Sequence, residues 1–384
     1  MKNSTKKHSF FNWIVALSVL ILMGLIACEG PAGPAGADGL DGKDGINGVD
    51  GINGVDGIDG VDGVNGIDGV DGADGADGVD ITSGACLTCH SNDDIITKRA
   101  ELNTHDHAMM TNSLSRGGRT GCGRCHSHEN FRSFVQTGSD MNLETVTGLT
   151  CKSCHSLHDS ENVNDFTYGV LINGSVDYLV GGSHSFGEGK SSNLCLACHQ
   201  PRRDYTEYDT TPADASDGVS ITSSHAGPHY GMMGSMLFGE GADDRNGAIN
   251  NAVAMAHASV GCVPCHMGGS DNHSFVPKTA NCTSCHAGAS NFDINGAATK
   301  MHDAIVLIEA QLVTNGWYAD DGDGGIESLA SSSAPLNLTG KEYTAFWNYN
   351  VLHADHGAIY HNPPYVKGII NNIETNLGMA VTSW

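Results

Sequence analysis

The chain has 384 residues, 44 acidic against 19 basic side chains, and a formal net charge of −25. So acidic a balance argues against nucleic acid and anionic lipid as partners and favours positively charged ones. With only 6% aromatic residues and 51 glycines, the composition points to short helices, many loops and little sheet.

Residues 1–27 read as a leader. Lys2, Lys6 and Lys7 precede an apolar run from Trp13 to Ala27, the layout of an export signal and too short and one-sided for a mature membrane span. The run closes in Leu25-Ile26-Ala27-Cys28, which resembles the lipobox of bacterial lipoproteins and implies lipidation of Cys28. The other reading is an uncleaved helix with an incidental cysteine. Several acyl chains on Cys28 would anchor stably where one gives only marginal binding. Glu29 stands where that family carries an Asp for inner-membrane retention, which implies an outer-membrane lipoprotein, on its cell-surface or periplasmic face.

Residues 28–80 form the next segment. Glycine recurs at every third residue from Gly30 to Gly78, the collagen-like period, because only glycine fits the axis of a triple helix. Proline is nearly absent, with Pro31 and Pro34 alone, so two readings stand: a weak triple helix that imposes a homotrimer, or a flexible monomeric spacer. Either way this Gly-x-y segment is a solvated stalk, because its Asp residues from Asp38 to Asp77 are opposed only by Lys43 and repel one another.

Residues 81–384 carry the chemistry. Between Cys86 and His286 the chain writes Cys-x-x-Cys-His six times, using every cysteine of the 13 except Cys28. The copies are Cys86–Cys89–His90, Cys122–Cys125–His126, Cys151–Cys154–His155, Cys195–Cys198–His199, Cys262–Cys265–His266 and Cys282–Cys285–His286. We call them motifs 1 to 6. Two cysteines three apart lie on one face of a helical turn, placed for thioethers to the two vinyl groups of a haem, and the following histidine ligates the iron. Zinc and disulfide readings of a lone Cys-x-x-Cys do not account for six trailing histidines. The expectation is six covalently bound haem c groups, with the motif histidines as proximal ligands.

There are 20 histidines, far more than the motifs use, and bis-histidine ligation is the economical reading of the surplus. The distal candidates are His105, His158, His184, His229, His257 and His361, with His107, His225, His273 and His302 in reserve and His128 and His353 as surface residues. Met109, Met110, Met232, Met233 and Met236 cluster as alternative axial ligands, which would raise a haem's potential.

The rest of the domain predicts short helices, many loops and little sheet, with a sub-boundary near 205–250. Helical stripes follow at Met301, Ile305, Ile308 and Leu312, over Lys341 to His353, and after Pro363 with Val366, Ile370, Ile373 and Leu377. The acidic run from Asp320 to Glu327 lacks the order of an EF-hand and reads as a solvated turn. The fold class expected is therefore mostly α with extensive loops: a haem-organised multihaem cytochrome domain behind a collagen-like stalk.

From about Ala254 onward the chain resembles cytochrome c nitrite reductase and its multihaem relatives. The matching pieces are His257 before motif 5, then His273, motif 6, a long helix, and His356-Gly-Ala-Ile-Tyr-His361-Asn-Pro. The resemblance implies distal roles for His257 and His361 and a place near a substrate pocket for His273. No Cys-x-x-Cys-Lys occurs, a departure from the active haem of that family. The front half resembles the surface-exposed multihaem cytochromes of metal-reducing bacteria, several of which also join a lipobox to a collagen-like stretch. Two functions follow as expectations. One is a bis-histidine electron conduit for respiratory or extracellular electron transfer, with other cytochromes or extracellular acceptors as partners. The alternative is a reductase of nitrite, hydroxylamine or a sulfur oxyanion at one open haem, served by His273, Tyr230 and Arg245.

Overall fold

The computed structural model describes residues 92–110, 114–156, 169–209, 218–250, 255–268, 272–322 and 325–384. The leader, Cys28, the Gly-x-y stalk, motif 1 (Cys86, Cys89 and His90) and His158 lie outside the described residues. The described residues belong to one compact unit.

Its front half is short helices around motifs. Helix α1 (Asn92–Asn103) leads towards His105 and His107. Helix α2 (His128–Thr137) begins two residues after motif 2, with the Ser127 hydroxyl accepting from the Asn130 N–H at 3.3 Å and Gly138 closing it at φ 76°, a left-handed turn that favours glycine. A small apolar cluster of Phe131, Val176, Tyr178, Phe186, Leu196, Ala197 and Leu237 fills the space behind motifs 2 and 4.

The principal core is C-terminal. Helix α3 (Ala297–Thr314) buries Ala298, Met301, Ala304, Ile308 and Leu312, one stripe of a 3.6-residue period. The Asp293 carboxylate accepts from the Ala298 and Thr299 N–H groups at 2.8 and 3.2 Å, satisfying donors that the first turn leaves open. Helix α4 (Gly340–His353) starts from a capping box, Thr339 with Glu342, and is buried almost all round, including Tyr343, Phe346, Trp347 and Tyr349. Helix α5 (Pro363–Asn376) takes Pro363 at its first position, where no N–H is needed, and is capped by Asn362. Its buried face of Tyr365, Val366, Ile369, Ile370 and Ile373 packs on α4.

Sheet is confined to four two-stranded antiparallel pairs among the described residues: β1 (His155–Ser156) with β2 (Gly169–Val170), β3 (Val176–Asp177) with β4 (Ser183–His184), β5 (Val219–Ile221) with β8 (Leu336–Leu338), and β6 (Tyr318–Asp320) with β7 (Ile326–Ser328). The last pair brackets the acidic run as a hairpin. The β5–β8 pair, together with Met232, Met236 and Ile249, carries residues 218–250 into the same core as α3, α4 and α5. Met232 and Met236 are fully buried there.

A buried polar clasp fixes that segment. The Asp243 carboxylate, fully enclosed, accepts from Arg245 Nε at 2.8 Å, Arg245 Nη2 at 2.9 Å and the Thr344 hydroxyl at 2.8 Å. Asn348 on α4 accepts from the Asp243 N–H at 2.7 Å and donates to the Asp243 carbonyl and to Asn372 Oδ1, each at 2.9 Å. Burying a charge is tolerable only when it is paired and hydrogen-bonded, as here.

Candidate haem sites

Each described motif is one helical turn. In motifs 3, 4, 5 and 6 the histidine N–H donates to the carbonyl of the first cysteine, four residues back. That bond puts the first thiol and the imidazole on one face of the turn. The ten cysteines of motifs 2 to 6, Cys122, Cys125, Cys151, Cys154, Cys195, Cys198, Cys262, Cys265, Cys282 and Cys285, are all free thiols.

Buried amides hold the turns in place. For motif 2, Asn130 Nδ2 and the Ser127 hydroxyl both donate to the Gly117 carbonyl, at 2.8 and 3.0 Å. Motif 4 is held at both ends. Asn193, fully buried, donates to the carbonyls of Asn173 and Gly187 at 2.8 Å each and accepts from the Phe186 N–H at 2.7 Å. Gln200 donates to the carbonyls of Leu196 and Ala197 at 3.0 Å and accepts from the Leu179 N–H at 2.7 Å.

Every described motif histidine is faced by a second imidazole from elsewhere in the chain. Ring centres are 6.1 Å apart for His126 and His229, 6.3 Å for His155 and His273, 5.8 Å for His199 and His107, 6.2 Å for His266 and His361, and 6.1 Å for His286 and His257. Two imidazoles ligating one metal from opposite sides, with metal–nitrogen bonds of about 2.0 Å, place their ring centres about 6.3 Å apart. Among the described residues no group of three or more His, Cys, Asp or Glu side chains could hold a metal ion. The protein thus offers two axial nitrogens per site, which is the donor set that fits a haem, whose ring supplies the other four.

Hydrogen bonds at Nδ1 set the tautomers of four of these rings. An Nδ1–H that donates to a carbonyl or carboxylate leaves Nε2 bare for the iron. His229 donates in this way to the Tyr230 carbonyl at 2.8 Å, His266 to the Phe275 carbonyl at 2.9 Å and His257 to the His361 carbonyl at 3.2 Å. His361 donates instead to the buried Asp355 carboxylate at 2.7 Å. Burial, followed by the neighbouring imidazoles His199, His105 and His266, lowers the His107 pKa to about 3. Burial likewise takes His199 to about 4. Both rings are held neutral, the form that can ligate.

Of the six distal candidates, the structure sets His229, His257 and His361 opposite motif histidines. His107 and His273 take the same position at two further motifs. His105 stands beside His107, where its Nδ1 accepts the His107 N–H at 3.2 Å. His184 is held by Glu240 at 3.4 Å and lies against the rings of Tyr178 and Phe238, in a packing role. The residues of the reductase reading are not gathered into one site. Arg245 is clasped by Asp243 and Asp209 and lies over the Tyr205 ring; His273 faces His155; Tyr230 bonds His353. No local sequence signal singles out His107 or His273, since neither adjoins the motif it faces.

The motifs also touch one another. Cys125 Sγ lies 3.9 Å from the Ala197 carbonyl and Cys198 Sγ 3.7 Å from the Arg124 carbonyl, a reciprocal contact that sets motifs 2 and 4 back to back. Contact with Cys125, together with burial, raises the Cys198 pKa, and contact with Cys195 and burial do the same for Cys262. The Ser192 hydroxyl accepts from the Cys262 and Val263 N–H groups at 3.0 and 3.1 Å, joining motif 4 to motif 5. Burial, with the Cys195 thiol nearby, pushes Cys154 of motif 3 up to about 12. Asn281 donates to the Cys265 carbonyl at 2.7 Å, joining motif 6 to motif 5.

A mostly helical domain built on repeated thiol pairs and opposed imidazoles is a multihaem c-type cytochrome. The curated relatives to which the chain is similar are polyhaem cytochromes. The chain is 25% identical to the C-type polyheme cytochrome OmcB of Geobacter sulfurreducens over 66% of its own length, and 24% identical to OmcC of the same organism over 69%. It spans 43% of the length of these curated relatives. Among solved structures it is similar to the outer cell wall cytochrome OcwA, with a TM-score of 0.46 and 18% identity over 73% of this chain and 50% of that one. It is also similar to the undecahaem cytochrome from the S-layer of Carboxydothermus ferrireducens, with a TM-score of 0.45 and 16% identity over 72% and 41%. Residues 24–85 match the collagen triple helix repeat.

Proposed function

We propose that this chain is a hexahaem electron conduit outside the cell, tethered to the outer membrane through a lipidated Cys28 and a collagen-like stalk spanning residues 28–80. In this reading residues 81–384 carry six haem c groups through the twelve motif cysteines, with His90, His126, His155, His199, His266 and His286 proximal. The distal ligands are His229 for motif 2, His273 for motif 3, His107 for motif 4, His361 for motif 5 and His257 for motif 6. Haem supplies reversible one-electron chemistry, and two strong imidazole donors per iron favour electron exchange over substrate binding.

The observation that carries the reading is the repeated imidazole pair at a metal-spanning distance. The contacts between motifs add an order. Motif 4 adjoins motifs 2, 3 and 5, and motif 5 adjoins motif 6, so the path branches at motif 4. This explains why motif 4 is the turn that buried Asn193 and Gln200 lock at both ends. The acidic charge suits positively charged donors and acceptors, and the collagen-type repeat supports a homotrimer. Low-temperature EPR of the oxidised protein tests the conduit: only low-spin signals are expected, and a stoichiometric high-spin signal overturns it.

A further inference from the structure

Five non-motif histidines face motif histidines. His353 and His356 do not, yet they lie beside each other at the surface, with ring centres 5.9 Å apart. His356 is exposed and His353 half-buried. Tyr230, 61% exposed, closes a third side: its hydroxyl lies 3.2 Å from His353 Nε2, and its ring centre is 5.6 Å from that of His353 and 5.9 Å from that of His356. His353 is braced from behind by the parallel ring of Tyr349, 5.9 Å away, whose hydroxyl donates to Glu309 Oε1 at 3.0 Å.

This geometry has a coordination reading. Adjacent donors around a tetrahedral cation with bonds of about 2.0 Å are about 3.3 Å apart, which matches the Tyr230 Oη to His353 Nε2 distance. Two imidazoles and a phenol are a borderline nitrogen and oxygen donor set, which suits Cu2+, Ni2+ and Zn2+ rather than Ca2+ or Mg2+. Burial and the adjacent His356 lower the His353 pKa against the opposing pull of Glu309 and Asp321, which favours the neutral ring that can ligate. Those two carboxylates also add negative potential beside the ring, which favours an arriving cation.

We propose that His353, His356 and Tyr230 form a surface site for a borderline divalent transition-metal cation, with Cu2+ held most tightly. On binding, the imidazoles donate as neutral ligands and the phenol gives its proton to water. Tyr230 directly follows His229, whose ring faces His126, so the bound cation would sit beside the motif 2 end of the chain of sites. The binding itself does not depend on the conduit reading.

The test titrates the full-length, haem-loaded protein with CuSO4, following heat and the Cu2+ EPR signal, in wild type, H356A and Y230F. His356 is exposed, so H356A is expected to keep its Soret spectrum and far-UV circular dichroism. Wild type should bind one more equivalent of Cu2+ than H356A, with nitrogen hyperfine structure from two imidazoles. Y230F should weaken that equivalent by at least the about tenfold that loss of even an outer-shell partner costs. Equal stoichiometry and affinity in wild type and H356A would overturn the proposal.

Discussion

Asp355 offers the sharpest test of how this protein tunes one of its sites. Its carboxylate is 1% exposed, accepts from His361 Nδ1–H at 2.7 Å and from the Gly357 N–H at 2.8 Å, and so gives His361 partial imidazolate character. A full negative charge one imidazole away stabilises ferric over ferrous iron. Replacing Asp355 by Asn removes the charge and leaves the side-chain volume nearly unchanged. A hydrogen bond to a charged group contributes about 1.5–3 kcal/mol and a neutral one about 0.5–1.5, so the loss favours ferrous iron by about 1–2 kcal/mol. At about 59 mV per tenfold for one electron, one potential should rise by about 45–90 mV. Spectroelectrochemical titration of D355N against wild type, with EPR to check spin state, measures this. If His361 instead flips its tautomer and leaves the iron, one equivalent turns high-spin, which still identifies His361 as a ligand positioned by Asp355. A titration curve and EPR spectrum both unchanged would refute the assignment of His361.

Two further substitutions separate ligand from neighbour and core from site. H107A should turn one haem high-spin, whereas H105A should leave all low-spin, because His107 and not its neighbour faces His199; EPR of the two proteins side by side decides it, and the reverse pattern would transfer the role to His105. Ile308 on α3 is fully buried against the C-terminal core, so I308A should cost about 2–5 kcal/mol of stability, read from denaturant unfolding followed at Trp317 and Trp347. A loss well below 1 kcal/mol would mean that α3 does not carry the core.

What could be read from the sequence divides along a physical line. Haem attachment depends on a local register, two thiols and an imidazole on one turn, and a four-residue spacing states it in full. The C-terminal helices were legible for the same reason: Ile308 and Leu312 mark a stripe, and the Thr339 and Glu342 capping box explains why α4 starts one residue ahead of Lys341. The distal partner obeys no such register, because the fold delivers it from anywhere in the chain. His107 lies just ahead of motif 2 in sequence but faces motif 4, while His229, far beyond it, faces motif 2. His105 and His107 differ by two positions and are equivalent to any pattern; in the fold His107 faces His199, while His105 accepts the His107 N–H through Nδ1.

The branch point has the same origin. Order along the chain does not set order in space: the thiol contacts between motifs 2 and 4 bypass motif 3. Motif 4 is backed by the cluster of Phe131, Leu196 and Leu237, Gln200 satisfies its Leu196 and Ala197 carbonyls, and Asn193 ties its leading edge to the Asn173, Phe186 and Gly187 backbone. A turn so fixed loses little freedom when its partners dock, and that preorganisation keeps the spacing between sites constant. In the proposed conduit the spacing between sites governs transfer, so Asn193 and Gln200, which ligate nothing, would serve that function by holding motif 4 in place.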